Sequence, residues 1–98
     1  MATIRLSEIR YIESNKNGVI IHTNEQTYND KDNISSVEKR LKQDGFIRIS
    51  RYYIVNIYQV KEIGVSKIIL VNGEELIYSN KYRDDINKEY LNFMMGDM

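Results

Sequence analysis

Along the first 28 positions, apolar and β-branched segments are separated by short polar stretches, the pattern of strands joined by turns. The alternation at residues 4–13 predicts a strand over the second half of that segment. A polar turn follows at residues 13–18, where an Asn-Gly pair suits positive φ. The β-branched run at residues 19–23 predicts a second strand, and a tight turn then leads to a short return strand over 26–28. The opening of the chain therefore predicts antiparallel strands joined by short turns.

The apolar period then changes to that of a helix. Three apolar residues recur at i, i+3 and i+7 and share one helical face: Ile34, Val37 and Leu41. Asn33 is placed to be the N-cap, and Gly45 is placed to end the helix. Ser35 with Glu38 also fits a capping box, so the helix start is defined only to about two residues.

The stretch GFIRISRYYIVN, residues 45–56, combines apolar strand residues with two arginines. Residues 46–49 predict a buried strand, and the apolar residues after Tyr53 return the chain to the core. Between them lies a short polar turn that carries Arg51. A buried strand has no need of arginine, so we expect a partner outside the domain to contact these polar side chains.

The rest of the chain predicts further strands and a terminal helix. Residues 59–63 read as a strand, and residues 67–71 as a strand buried on both faces. Asn72-Gly73 predicts a type I′ turn with two positive φ angles before a return strand over 74–79. Asn80 is placed to cap the terminal helix. Four residues of that helix fall at helical spacing: Tyr82, Ile86, Tyr90 and Phe93. The order of elements indicates a mainly β domain with antiparallel hairpins.

Composition narrows the kinds of site this chain can carry. The 98 residues suit one domain, and their formal net charge of zero argues mildly against nucleic-acid binding, because most such domains are basic. No Cys and a single His exclude a disulfide framework and make a metal centre very improbable. We expect no cofactor, no membrane span and a cytoplasmic location. The eight tyrosines suit half-buried positions and contact surfaces.

Several separated blocks resemble the LytTR DNA-binding domain of bacterial response regulators. The family's central signature is matched by Phe46, Arg48, Tyr53, Val55 and Asn56. Tyr52 stands where the family commonly has Ser, which makes this turn bulkier. Two further blocks match in the right order, IRYIESNKNGVIIHT and IILVNGEELIYSNKYRDDI. The resemblance covers residues 4–93.

The resemblance implies both a fold and a function. The implied fold is a mainly β, elongated arrangement of small antiparallel sheets with one short internal helix and a C-terminal helix. The implied domain covers residues 1–98, with its core over 4–93. Family members regulate transcription by inserting loops into successive major grooves of double-stranded DNA at paired direct repeats. They are usually output domains of two-component systems. If this chain is a fragment, a receiver domain is expected N-terminal to it, and the isolated domain is expected to be a monomer that pairs on DNA.

Three loops contact DNA in the family, and position-by-position transfer gives the candidate residues. The base-reading candidates are Asn17, Arg51 and Lys81. An Arg fork fits guanine O6 and N7, an Asn amide fits adenine, and a good pair discriminates by about 1–3 kcal/mol. The candidates for contacts to the DNA backbone are Lys16, Arg48, Ser50, Tyr52, Asn80 and Tyr82.

Each candidate also has a structural interpretation. Arg51 could be a solvated charge at a strand end, and Arg48 could form a salt bridge on the other face of its strand. Asn17 could serve turn geometry alone. Lys81 beside a helix start opposes the helix dipole, which makes an external anion a reasonable partner. Asn56 we interpret as structural, with its amide satisfying backbone groups at an irregular turn.

Two other classes of function are alternatives to DNA binding. A protein-interaction module agrees with the neutral charge and the many tyrosines, and binding that does not weaken with salt would favour it. An enzyme is not expected, because no nucleophile and carboxylate pattern accompanies the single His22. His22 lies in a β-branched run and is interpreted as a packed or edge residue.

Overall fold

Eight strands build this chain in the computed structural model, which describes residues 3–96. Residues 1, 2, 97 and 98 of the expected domain lie outside the described residues. The strands are β1 (Ile9–Asn15), β2 (Gly18–Thr23), β3 (Thr27–Asp30), β4 (Phe46–Arg48), β5 (Tyr53–Asn56), β6 (Val60–Ile63), β7 (Lys67–Leu70) and β8 (Glu75–Ile77). The larger sheet has the order β3-β2-β1-β5-β4, and the smaller has β6-β7-β8. All pairings are antiparallel.

The internal helix α1 (Ile34–Leu41) begins where Asn33 predicts. The Asn33 side chain accepts a hydrogen bond from the Ser36 amide at 2.9 Å, so this N-cap is confirmed. The alternative capping box is wrong, because the Glu38 carboxylate bonds the Arg48 guanidinium at 2.9 Å instead. The helix thus uses its own local cap and leaves Glu38 free for a tertiary contact.

A 3₁₀ turn follows the first helix, and another precedes the second. The turn Lys42–Asp44 follows α1, and Gly45 ends it with a φ of 90°, as predicted. The second helix is α2 (Arg83–Gly96). The capping role expected of Asn80 is wrong, because Asn80 is the first residue of a 3₁₀ turn (Asn80–Tyr82) that continues into α2.

The β7–β8 hairpin has a different turn from the predicted one. The Gly73 amide donates to the Leu70 carbonyl at 2.9 Å, and the Leu70 amide donates to the Glu74 carbonyl at 2.8 Å. These bonds close a three-residue loop, one residue longer than a type I′ turn. In this loop only Gly73 has positive φ, at 93°, so Asn72 avoids the left-handed region that a type I′ turn would impose.

The expectation that β7 is buried on both faces is also wrong. Ile68 and Leu70 are buried, whereas Lys67 is exposed and Ile69 is half-buried. The smaller sheet packs only one of its faces on the core, so its apolar run alternates in burial.

Neighbouring residues of the central strands enter two different cores. One core lies between the larger sheet and α1 and contains Ile9, Ile12, Val19, Ile34, Val37, Phe46 and Ile54. The other joins the opposite face to the smaller sheet and α2, and contains Tyr11, Ile47, Ile49, Val55, Ile57, Val60, Ile68, Leu70, Leu76, Tyr78 and Ile86. The predicted stripe of α2 is confirmed, because Tyr82, Tyr90 and Phe93 pack against this second core.

The mainly β fold class with two helices is confirmed, and the extents of 35 × 28 × 25 Å make the domain only slightly elongated. The structural role of Asn56 is confirmed too. Its Nδ2 donates to the Ile9 carbonyl at 2.8 Å, and its Oδ1 accepts from the Tyr58 amide at 3.0 Å. Among residues 3–96, no helix has the length and apolarity needed to span a bilayer.

Candidate nucleic-acid interface

Strand topology brings the predicted loops together. Because β1 pairs antiparallel with both β2 and β5, the β1–β2 turn and the β4–β5 loop lie at one end of the larger sheet. The Ser14 amide donates to the Tyr52 carbonyl at 2.7 Å and links these two connections. The Ser79 amide donates to the Ile49 carbonyl at 2.9 Å and links the β4–β5 loop to the segment before α2. We call residues 16–17, 49–52 and 79–82 together the three-loop edge.

The β1–β2 turn has two residues, Lys16 and Asn17, and both are exposed. The side chain of Asn15 accepts a hydrogen bond from the Lys16 amide at 2.7 Å. Gly18 has a φ of 148°, and a Cβ there would lie 2.0 Å from the Asp30 carbonyl oxygen. Asn17 does not have positive φ, so a left-handed backbone does not account for an Asn at this position.

Arg48 shapes the β4–β5 loop from inside. Its Nε donates to the Ser50 carbonyl at 2.6 Å, and its Nη2 donates to the Arg51 carbonyl at 3.0 Å. Its Nη1 donates to the Glu38 carboxylate of α1 at 2.9 Å, and the side chain is only 13% exposed. The guanidinium therefore bridges the helix and the loop, which agrees with the salt-bridge interpretation of Arg48 rather than with a contact to DNA.

Ser50 completes this internal support. Its Oγ accepts hydrogen bonds from the amides of Tyr52 and Tyr53, both at 3.1 Å, and the residue is only 7% exposed. A buried hydroxyl with these two donors is poorly placed for a phosphate. Arg51 and Tyr52, by contrast, project from the loop and are exposed.

Three cations of the three-loop edge have no carboxylate partner. Among residues 3–96, no carboxylate lies within 4.0 Å of the charged groups of Lys16, Arg51 or Lys81. Lys81 and Asn80 are exposed in the 3₁₀ turn before α2, whereas Tyr82 is half-buried. The unpaired charges are therefore accessible to an anionic partner. Asn17 lies in the β1–β2 turn beside the β4–β5 loop.

An aromatic and ionic cluster lies on the larger sheet behind the turn. The rings of Tyr11 and His22 stack with centroids 4.2 Å apart, and the Glu13 carboxylate lies 2.8 Å from His22 Nε2. Burial raises the pKa of Tyr11. The Glu13 carboxylate and the Tyr53 side chain raise this pKa further, whereas the Arg10 guanidinium lowers it. His22 is thus packed, as interpreted from the sequence.

The described part of the chain offers no metal centre, since no three His, Asp or Glu side chains in it converge on one point. The polar side chains of the three-loop edge are cations, amides, serine hydroxyls and tyrosines. Such groups can bind anions and the edges or faces of nucleobases.

The supporting role of Glu38 was not predicted. A local capping box with Ser35 was the alternative considered for Glu38, whereas its carboxylate bonds Arg48 ten positions later. The pairing depends on how α1 packs on the larger sheet, and no periodic pattern in the sequence reports that packing. The only available signal was an Arg inside a predicted strand, which needs a buried acceptor.

Comparison with known proteins gives a consistent result. A family model described as the LytTr DNA-binding domain matches residues 1–90. The transcriptional regulatory protein LytR of Staphylococcus aureus (strain N315) is 33% identical over 75 residues, covering 70% of this chain and 30% of LytR. The sensory transduction protein LytT of Bacillus cereus is 27% identical over 90 residues, covering 87% of this chain and 37% of LytT. The chain thus spans about a third of the length of these two relatives.

A solved structure agrees with the fold. It is the LytTr DNA-binding domain of a response regulator from Bacillus cereus, and it superposes with a TM-score of 0.78 at 27% identity. The match covers 88% of this chain and 84% of that one.

Proposed function

This chain belongs to the LytTR DNA-binding domain family, and we propose that it binds double-stranded DNA sequence-specifically to regulate transcription. The observation that carries the proposal is the three-loop edge. Three loops are bonded side by side there, and they expose two amides and cations that have no carboxylate partner within residues 3–96. Exposed groups of this kind on rigid mounts lower the ordering cost of binding.

Each loop supplies one base-reading residue in this proposal. Arg51 pairs with guanine O6 and N7, Lys81 reaches the same kind of acceptor, and Asn17 pairs with adenine N6 and N7. Lys16 and Asn80 contact the DNA backbone beside them. The loops enter successive major grooves, and two copies bind side by side at paired direct repeats.

The neutral net charge is compatible with this role because charge is distributed unevenly along the chain. Outside the three-loop edge, four cations have carboxylate partners, in the pairs Arg10–Glu74, Arg40–Asp32, Arg48–Glu38 and Lys67–Glu75. The three-loop edge itself carries three cations and no carboxylate, so its own side chains have a net positive charge even though the sum over the chain is zero.

The wider setting follows from the relatives. A transcriptional regulatory protein and a sensory transduction protein share this domain. We therefore propose that residues 1–98 form one output domain, a monomer in solution, that acts with a receiver domain in the cytoplasm. Its role is binding rather than catalysis.

Selection of bound duplexes from a random pool tests the function, followed by fluorescence anisotropy of the selected duplex across a salt series. We expect a recurring paired motif and an affinity that falls steeply with salt. Arg51→Ala is expected to lose about 1–3 kcal/mol on the selected duplex and little on random DNA. Arg40→Ala is the matched control, because Arg40 is exposed on α1 and pairs with Asp32.

Two results would change the conclusion. No enrichment and no salt-sensitive binding from the folded domain would overturn DNA binding and direct the search to protein partners. An equal loss for Arg51→Ala on selected and random duplexes would give Arg51 a phosphate contact in place of base reading.

A further inference from the structure

In the described part of the chain, cations lie over tyrosine rings at three places, and each pair consists of two consecutive residues. The distances from cation to ring centroid are 5.7 Å for Arg10–Tyr11, 5.2 Å for Arg51–Tyr52 and 5.6 Å for Lys81–Tyr82. The second and third pairs lie at the three-loop edge. Both of their cations are base-reading residues in the function proposed above.

The internal pair differs from the two at the edge. Arg10 is paired with the Glu74 carboxylate, and its Nε also donates to the Thr23 carbonyl at 3.0 Å. Within the described residues, Arg51 and Lys81 have no carboxylate within 4.0 Å. The neighbouring ring face is therefore the group that attracts each of these two charges in the free domain.

The tyrosines at the edge are themselves held in place. The Tyr52 amide donates to Ser50 Oγ at 3.1 Å, and its carbonyl accepts from the Ser14 amide at 2.7 Å. The Tyr82 amide donates to the Ser79 carbonyl at 2.9 Å, and its ring packs against the second core. Each ring is thus mounted on fixed backbone, whereas the cation beside it is a long flexible chain.

We propose that Tyr52 and Tyr82 are positioning residues whose ring faces hold Arg51 and Lys81 ready to read bases. The inference rests on the proposed function and gives the two tyrosines a role different from the backbone contact that their hydroxyls suggest. A cation already restrained by a ring loses less freedom when it binds a base. The aromatic face supports the side chain without an anion that would compete with DNA.

Tyr52 is the better residue to test, because it is 54% exposed while Tyr82 packs against the core. Tyr52→Phe keeps the ring face and removes the hydroxyl, whereas Tyr52→Leu removes both. Affinity for the selected duplex and for random DNA is measured by anisotropy for both variants. Each substitution is also made in the Arg51→Ala background, and thermal melting confirms that every variant is folded.

We expect Tyr52→Leu to lose about two- to fivefold on the selected duplex, the size of a cation–π contact at an exposed site. Random DNA should be bound almost as before, with an unchanged salt slope, because no phosphate contact is removed. Tyr52→Phe should retain wild-type affinity, because it keeps the ring face. In the Arg51→Ala background, Tyr52→Leu should cause no further loss, because the tyrosine acts through the arginine.

The contact can also be observed without DNA. Ring-current shifts of the Arg51 side-chain protons should appear in the free wild-type domain and in Tyr52→Phe, and should vanish in Tyr52→Leu. Tyr58→Leu is the matched control: Tyr58 is 56% exposed, and its ring meets Phe93 edge-on with centroids 5.6 Å apart. We expect that variant to leave both the shifts and DNA affinity unchanged.

Several outcomes would overturn the inference. An equal loss in Tyr52→Phe and Tyr52→Leu would assign the effect to the hydroxyl. A loss that persists in the Arg51→Ala background would make Tyr52 an independent contact, and no loss or no ring-current shift would leave the ring without the proposed role. A wild-type domain that selects no duplex but shows the shifts would overturn the proposed function instead, while the free-state contact stood.

Discussion

The β4–β5 loop and the β1–β2 turn lie side by side at the three-loop edge, yet different groups give them their shapes. The loop is held by side chains: Arg48 donates to two of its carbonyls, and Ser50 accepts from two amides that follow. The turn is held by strand register, with Asn15 opposite Gly18, and by a glycine pressed against the backbone at Asp30. Within the turn, the Asn15 side chain accepts a hydrogen bond from the Lys16 amide.

The difference shows two ways of presenting an exposed side chain, here the proposed base-reading residues Arg51 and Asn17. Residues 49–52 contain no glycine and form an irregular segment, in which buried polar side chains satisfy the Ser50 and Arg51 carbonyls and the Tyr52 amide, while the other carbonyls bond to backbone amides. The hairpin turn satisfies its backbone through β1 and β2, and glycine permits the close approach of the next segment. Replacing the polar residues that support the loop should therefore destabilise the loop. Adding a single methyl group at the glycine should destabilise the turn.

The largest expected effect is that of Gly18→Ala. The new Cβ would meet the Asp30 carbonyl oxygen at 2.0 Å, at a φ of 148° that L residues rarely adopt. The backbone must shift, and we expect a loss of about 3 kcal/mol or more in the free energy of unfolding. Urea denaturation followed by circular dichroism measures it.

Gly73→Ala is the matched control for that substitution. Gly73 also has positive φ, at 93°, but no atom lies within 4 Å of its added Cβ. Only the backbone strain applies, so the loss should be about 1–2 kcal/mol. Equal losses at the two glycines would show that close packing at Gly18 does not hold the turn.

Arg48→Ala should come next, with a loss of about 2–3 kcal/mol in stability, because bonds to a charged, mostly buried group are removed. The carbonyls of Ser50 and Arg51 and the Glu38 carboxylate lose their donor. Arg48→Lys should recover only part of the loss, since one ammonium cannot reproduce the guanidinium fork. Denaturation and the exchange rates of loop amides measure both variants.

The control for Arg48 is Arg40→Ala, which breaks the exposed Arg40–Asp32 pair at 2.9 Å. Its side chains are 58% and 47% exposed, so we expect a change of less than about 1 kcal/mol. If Arg48→Ala were as mild as this, the loop would hold its shape without the guanidinium.

Local signals in the sequence were sufficient for most of the fold. Asn33 as N-cap and Gly45 as helix end depend on chemistry within a few residues, and both were predicted. The error at Asn72-Gly73 was one of loop length, because hydrogen bonding across the strands sets the loop and the dipeptide does not. The burial of one face of β7 depends on which face of the smaller sheet packs on the core. Tertiary packing decides this, and the sequence pattern of β7 does not report it.

The candidate site was predictable in position and less so in role. The loops carrying Asn17, Arg51 and Lys81 are neighbours through two backbone bonds, as the family resemblance implied. Arg48 and Ser50 looked like surface contacts because their types bind phosphate. Their internal roles arise from Glu38 on α1 and from backbone groups of an irregular loop, and a strand pattern contains neither piece of information.

Ser50→Ala tests the loop by a smaller change. It leaves the amides of Tyr52 and Tyr53 without the Oγ that accepts them at 3.1 Å. We expect a loss of about 1–2 kcal/mol in stability, as for buried donors left unsatisfied. Hydrogen exchange at these two amides should accelerate more than at β2 amides. Unchanged exchange at both amides would show that Ser50 does not hold the loop.

Asn17→Ala should have the smallest effect on folding. It best distinguishes a turn held by strand register from a loop held by its side chains. Asn17 is exposed and does not have positive φ, so stability should change by less than about 0.5 kcal/mol. In the proposed function Asn17 reads adenine, so affinity for the selected duplex should fall by about 1 kcal/mol when its amide is lost. The paired measurement is denaturation with anisotropy on selected and random duplexes. A turn shaped by register and Gly18 allows its reading residue to be removed without structural loss, so a destabilised Asn17→Ala domain would show that the side chain helps to build the turn.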